Sequence, residues 1–257
     1  MYRVSIMRMT VLDENAEEFE KACAEQVSRV RENEPGTALY AFCKRGPDGS
    51  TILGKPKNGR SEYIHIQAYV SEEADKHHTD LEQEWWGPTF RRLLDGLWES
   101  ERYYTPDITT GITRDWTWDA NQYRFAFHRF YIKEGMDEEF EGHASHQIGV
   151  VTKGEPGTVL YTMCKRPADG STFLPQPTRG HAEYLHMMAY KDEESQAHHR
   201  VLEHRDDGKW CWGPVFRTYL EAPLVNESFM GAQVLCGLSR DSQWGAVWGD
   251  VDIAPLA

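Results

Sequence analysis

The sequence predicts an α+β fold: two ferredoxin-like βαββαβ repeats packed sheet to sheet, a pseudo-dimeric α+β barrel within one chain. Three observations carry this expectation. Sliding the chain by 121 residues aligns Tyr2–Glu82 with Tyr123–Glu203 without a gap, and 36 of those 81 positions are identical, far beyond chance. Each copy alternates strand-like and helix-like patterns in the order β-α-β-β-α-β. The copies adjoin with little linker, so the open sheet face of one can be covered by the other. The repeats are assigned to 1–119 and 120–257.

The elements follow in order along the second copy. "YRFAFHRFYI" is β-rich, and the acidic residues of "KEGMDEE" suit a helix N-terminus through the macrodipole. The helix that follows places Phe140, Ala144, Ile148 and Val151 on one stripe. "EPGT" is a turn, "TVLYTMCKR" a strand, "PADGST" a turn back, and "AEYLHMMAY" a third strand. "DEESQAHHRVLEH" starts a second helix and "SFMGAQVLCGLSRD" supplies a fourth strand, giving two four-stranded sheets. Past Glu82 the second copy gains five residues within "HRDDGKW", after which Trp86-Gly87-Pro88 meets Trp212-Gly213-Pro214 and "GITRDWTW" meets "GLSRDSQW".

Composition narrows the function. The net charge is −13 with no basic run, which argues against nucleic acid and anionic membrane surfaces as partners. No apolar run approaches about 18 residues and the N-terminus lacks a signal-peptide core. The five cysteines (Cys23, Cys43, Cys164, Cys211, Cys236) show no CxxC spacing, which suits reduced thiols in a cytoplasmic protein. Nine tryptophans point to an aromatic-lined cavity.

The motifs "EPGTALY", "EYIHIQAYVSEEADKHH" and "WWGPTFRRLL", with their second copies "EPGTVLY", "EYLHMMAYKDEESQAHH" and "CWGPVFRTYL", resemble the antibiotic biosynthesis monooxygenase family of dimeric α+β barrels. The resemblance covers both halves nearly end to end. It implies a cofactor-independent oxygenase that oxidises an aromatic polyketide, an anthrone or hydroquinone, with dioxygen in antibiotic biosynthesis. Relatives open an angucycline-type ring, and a separate flavin reductase supplies the reduced substrate. No tightly bound cofactor is implied, because an enolate or phenolate can itself pass an electron to dioxygen. The protein must then supply a base, stabilise an oxyanion and enclose a flat ring system. A homodimer of the two-repeat chain is compatible with the family. The alternatives are a non-catalytic small-molecule-binding or stress-response barrel and, ranked lower, a heme-degrading monooxygenase. For the last, the resemblance places the axial histidine at Leu94 or Leu220, where no ligand exists.

Eight of the eleven histidines fall in the second half, which makes that half the expected seat of chemistry. His128, where the first copy has Met7, sits where the family's heme-degrading branch has an active-site asparagine. His199, like His78, occupies the family's Ala-x-x-x-His position, with Ser195 in place of the alanine. These two are the leading base and oxyanion partner, with His186 as a third catalytic candidate. The alternative for each is a satisfied core histidine. Trp212, Phe216, Tyr184, His143 and His146 are the substrate-binding candidates. Tyr63 and Tyr184 are placed on the sheet face opposite His65 and His186. His77 and His198 lie about 100° around the helix from their neighbours, toward solvent or the other half. His181 and His204 are read as solvated, and no metal site is expected, since adjacent helical histidines do not converge on one ion.

Overall fold

The computed structural model describes residues 2–45, 59–96, 98–104, 108–119, 124–166, 182–204, 211–221, 225–230 and 234–245. The first repeat runs β1 (Arg3–Leu12), α1 (Ala16–Asn33), β2 (Thr37–Lys44), β3 (Arg60–Tyr69), α2 (Glu72–Glu84), α3 (Trp86–Leu93), β4 (Glu99–Tyr104), β5 (Ile108–Thr113) and β6 (Trp116–Asp119). The second runs β7 (Arg124–Ile132), α4 (Asp137–Gly154), β8 (Thr158–Lys165), β9 (Ala182–Tyr190), α5 (Glu193–His204), α6 (Trp212–Tyr219), β10 (Val225–Met230), β11 (Val234–Ser239) and β12 (Ser242–Gly245). The α4 stripe is as the periodicity requires: Phe140, Ala144, Ile148 and Val151 are all fully buried, and Asp137, Glu138 and Glu139 occupy the helix's first turn.

The sheets are six-stranded rather than four-stranded, in the orders β4-β1-β3-β2-β11-β6 and β10-β7-β9-β8-β5-β12. The expected single fourth strand is in fact three short ones, because the chain changes sheets. β10 pairs with β7 in its own repeat's sheet, whereas β11 pairs with β2 of the first repeat. Reciprocally, β5 leaves its own repeat to pair with β8. Each sheet therefore contains strands from both repeats.

The sheets pack face to face. Ile64, Ile66 and Ala68 of β3 share one apolar cluster with Leu185, Met187 and Ala189 of β9, and Trp118 and Trp244 join it. Gly111 has no Cβ because the Trp244 ring lies where one would project, 2.4 Å away. Strand alternation then puts Tyr63, His65, Gln67 and Tyr69, and equally Tyr184, His186, Met188 and Tyr190, on the helix-covered face. This corrects the expected placement of Tyr63 and Tyr184: residues two apart in a strand share a face, so each tyrosine lies on its histidine's side.

An arginine from each repeat clasps the other. Arg114 follows β5 and donates from Nε to Thr158 O (2.9 Å) and from Nη2 to the carbonyls of Val151, Thr152 and Glu155 at 3.0–3.2 Å. Arg240 follows β11 and donates to the carbonyls of Glu34 (3.0 Å), Thr37 and Arg31 (3.1 Å). Both guanidiniums thus sit on helix C-termini, where unpaired carbonyls and the macrodipole favour a cation. No helix among the described residues is long and apolar enough to cross a membrane, and the five cysteines are free.

Candidate functional site

The repeated His-His motif is explained by the repeated "EPGT". Glu34 and Glu155 are the C-cap residues of α1 and α4. Gly36 and Gly157 allow the following helix to approach closely, since a Cβ there would lie 2.5 Å from Ala74 Cβ or 2.0 Å from Ser195 Oγ. One turn beyond that contact, His78 Nδ1 meets Glu34 Oε2 and His199 Nδ1 meets Glu155 Oε2, both at 2.7 Å. Thr37 and Thr158 hydroxyls donate to the same carboxylate oxygens at 2.9 and 2.8 Å. The neighbouring His77 and His198 are exposed and donate to the helix-end carbonyls of Asn33 and Gly154 at 3.3 Å. The motif is a buried clamp between turn and helix, present in both halves.

His199 is consequently not placed to act as a base or as an oxyanion donor. Its Nε2 lies 2.9 Å from Glu203 Oε1, an ion-pair contact at an angle poor for a hydrogen bond. Burial alone would lower its pKa, but Glu203 and Glu155 together carry it up to about 10. It is an imidazolium already committed to two carboxylates. Glu203 would be raised by burial, yet His199, and further off His128 and His204, hold it below the ordinary carboxylate range. Sequence reasoning missed Glu155 and Glu203 as partners, although the "E-P-G-T" to "H-H" pairing recurs in both copies.

A cavity lies beside this clamp. His128, His186, Met188, Trp212, Phe216 and Leu220 are among the residues lining a space of about 460 Å³. His128, Met188, Glu203 and His204 continue into an adjoining space of about 200 Å³ that His199 also borders. β7 and β9 set His128 directly opposite His186 in register, and their rings meet edge to face at 5.5 Å between centroids. Trp212 and Phe216 stack at 5.4 Å on the helical side. His204 is exposed, as its reading as a solvated residue requires, and it also borders both spaces; His181 lies outside the described residues.

The two copies differ at one strand position with a large consequence. In the first half, His65 Nδ1 donates to Ala41 O (3.0 Å), and Gln67 Nε2 donates to His65 Nε2 (2.7 Å). Tyr69 in turn donates to Gln67 (2.7 Å). Burial holds His65 down to about 3, so it is a neutral, satisfied core residue. In the second half Met188 replaces Gln67 and cannot donate. His186 Nε2 is left buried without a hydrogen-bond partner, and burial, with the charges of His128 and His199, keeps the ring neutral. The signal was visible in "HIQAY" against "HMMAY".

Three substrate-binding candidates fall elsewhere. Tyr184 is fully buried in the aromatic core of α4 and α6 and donates to Glu141 at 2.6 Å. It does not line the cavity, because it packs under Phe140 rather than beside His186. His143 and His146 border a separate, open space of about 370 Å³ with Glu139 and Gly142, since α4 turns its i, i+3 pair away from the sheet. His143 pairs with the Tyr219 hydroxyl, which also reaches Glu139 at 3.0 Å. Among the described residues no group of three or more His, Cys, Asp or Glu is arranged to hold a metal.

Residues 1–83, within the first repeat, match the antibiotic biosynthesis monooxygenase family, and the second repeat echoes that stretch in sequence and in strand and helix order. The match supports a monooxygenase-type function. No curated protein matches the chain. Among solved structures, a "putative monooxygenase" from Fusobacterium nucleatum subsp. nucleatum ATCC 25586 is 16% identical, with a TM-score of 0.67 over 95% of this chain and 97% of that one. A second "putative monooxygenase", from Lactobacillus acidophilus NCFM, is 10% identical, with a TM-score of 0.67 over 95% and 99%. At these identities the likeness is one of fold: the two-repeat barrel is shared along its whole length.

Proposed function

We propose that this chain is an oxygenase that oxidises a polycyclic aromatic polyketide, an anthrone or hydroquinone, with dioxygen and no tightly bound cofactor, using the second-repeat cavity. The observation that carries the reading is the edge-to-face pair His128–His186 on the sheet side of a cavity walled by Trp212 and Phe216. For an anthrone, the ring methylene and one dioxygen become a ring carbonyl and one water. His128 takes the methylene proton, and the Glu203 carboxylate on the same wall stabilises the imidazolium so formed. His186, neutral, lining the same cavity and with its Nε2 unpartnered, donates in its Nε2–H tautomer to the oxygen of the developing enolate. The enolate passes one electron to dioxygen, and superoxide and substrate radical combine at carbon to a peroxide. His128 returns a proton to the peroxide; loss of the second methylene proton then breaks the O–O bond and releases water.

This division of labour moves the oxyanion role from His199 to His186. His199 and Glu155 serve to position Glu203. Leu220, on the cavity wall, offers an iron no ligand, which disfavours heme chemistry at this place. The chain supplies both sheets of the barrel itself, so the sheet pairing needs no second copy.

The test is oxygen uptake by purified, chelator-treated protein with an anthrone under ¹⁸O-labelled dioxygen. The expected result is one labelled atom in the ketone and one in water, at a rate well above the protein-free reaction. Activity that tracks added iron, heme or flavin would overturn the cofactor-free reading. Tight binding with no uptake above background would make the barrel a binding protein instead.

A further inference from the structure

The first repeat keeps a cavity of its own, at the place equivalent to the second-repeat site. It measures about 390 Å³ and contains Met7, Gln67, Gly87, Phe90 and Arg91 where the other has His128, Met188, Gly213, Phe216 and Arg217. That volume is in the usual range for small-molecule sites. The base is gone, because Met7 cannot exchange a proton and His65 is sealed by Gln67. What has been added is positive charge. β4 sets Arg102 opposite Ser5, whereas the second repeat has Ser228 opposite Ala126.

Arg3 is 8% exposed, and its Nε is buried with no hydrogen-bond partner although its Nη2 pairs with Asp75. The Arg3 guanidinium also lies over the Tyr69 ring at 5.1 Å. Arg102 is exposed, and its charge acts on Asp75 and Glu82 at longer range than an ion-pair contact. Glu82 is the carboxylate on the wall; it faces His78 at 3.8 Å, and burial raises its pKa. The apolar side is made by Met7, Phe90 and Trp98, with the Phe90 and Trp98 rings edge to face at 5.4 Å.

We infer that the first-repeat cavity is a second, non-catalytic site that binds an anionic fused-ring aromatic, a carboxylate held by Arg3 and Arg102 with its rings against Phe90 and Trp98. A planar carboxylate fits guanidinium donors, and an uncharged ring system of the same shape leaves the Arg3 Nε unsatisfied. The site stands whether or not the second cavity is an oxygenase, since neither arginine belongs to that cavity.

The experiment is calorimetric titration of the full chain with 2-naphthoate and, for comparison, 2-naphthol. The expected result is 2-naphthoate binding at least about tenfold tighter than 2-naphthol, the gap that a charge-assisted hydrogen bond typically opens. Arg102→Gln should remove most of that preference, and Arg217→Gln, its counterpart test in the second cavity, should leave it. Thermal melts confirm that both variants are folded. Equal affinity for the two ligands, no measurable 2-naphthoate binding, an unaltered preference in Arg102→Gln, or loss only in Arg217→Gln would each overturn the inference.

Discussion

Two histidines one strand apart, His128 and His186, and a third that is locked, His199, differ in what surrounds them. Replacing His128 by Ala removes the proposed base and should lower turnover by at least about tenfold, with the melting curve unchanged, because its side chain is only half-buried. His199→Ala behaves differently: it strands Glu155 and Glu203 in the interior, and breaking such a buried pair costs about 3–5 kcal/mol. It should therefore lower stability first and activity only as a consequence. The pH dependence carries the same distinction. His199 is raised to about 10 when folded, so its stabilisation is complete below the unfolded value near 6.5 and is lost as pH rises toward 10. His65 and His186 are depressed, so the unfolded chain takes up protons that the folded one refuses as pH falls below about 6.5. Each such group contributes a slope of at most about 1.4 kcal/mol per pH unit. Urea unfolding between pH 5 and 9 should show maximal stability near pH 6.5, and His199→Gln should flatten the alkaline limb; an alkaline limb identical to wild type would contradict the clamp.

At the level of elements, the turns and helix ends position the site. Gly157→Ala pushes a Cβ into Ser195, moving α5 and with it His199 and Glu203. The cost of such overpacking is about 1–3 kcal/mol, and the proposed activity should fall with it, which a paired melt and rate measurement would check. The helix stripes, the "EPGT" turns and the central strands were legible in the sequence because each is a local pattern: Phe140, Ala144, Ile148 and Val151 announce their face by spacing alone. The fates of Tyr184, His143 and His146 were not. Which neighbour a side chain meets depends on how α4 and α6 sit on the sheet, and no local period encodes that. The His186 orphan was legible in principle, since Gln67 to Met188 is the loss of a hydrogen-bond donor beside a strand histidine.

Over the whole molecule, the duplication announced the barrel, and the face-to-face sheets followed from the need to cover an open apolar surface. The exchange of β5 and β11 between sheets was not legible, because "GITRDWTW" and "GLSRDSQW" read as ordinary strand and turn in either place. That exchange makes the halves interdependent: Arg114 of the first repeat caps α4 of the second and touches the Glu155 carbonyl beneath the His199 clamp. Separately produced fragments 1–119 and 120–257 should each lack cooperative unfolding and regain it on mixing; two independently cooperative fragments would contradict the interlocked architecture. The central claim is that one half does the chemistry, and reciprocal exchange of the residue proposed as its base tests it most directly. Steady-state oxygen uptake with an anthrone should fall at least about tenfold in His128→Met and stay near wild type in Met7→His. Uptake unchanged in His128→Met would contradict the account.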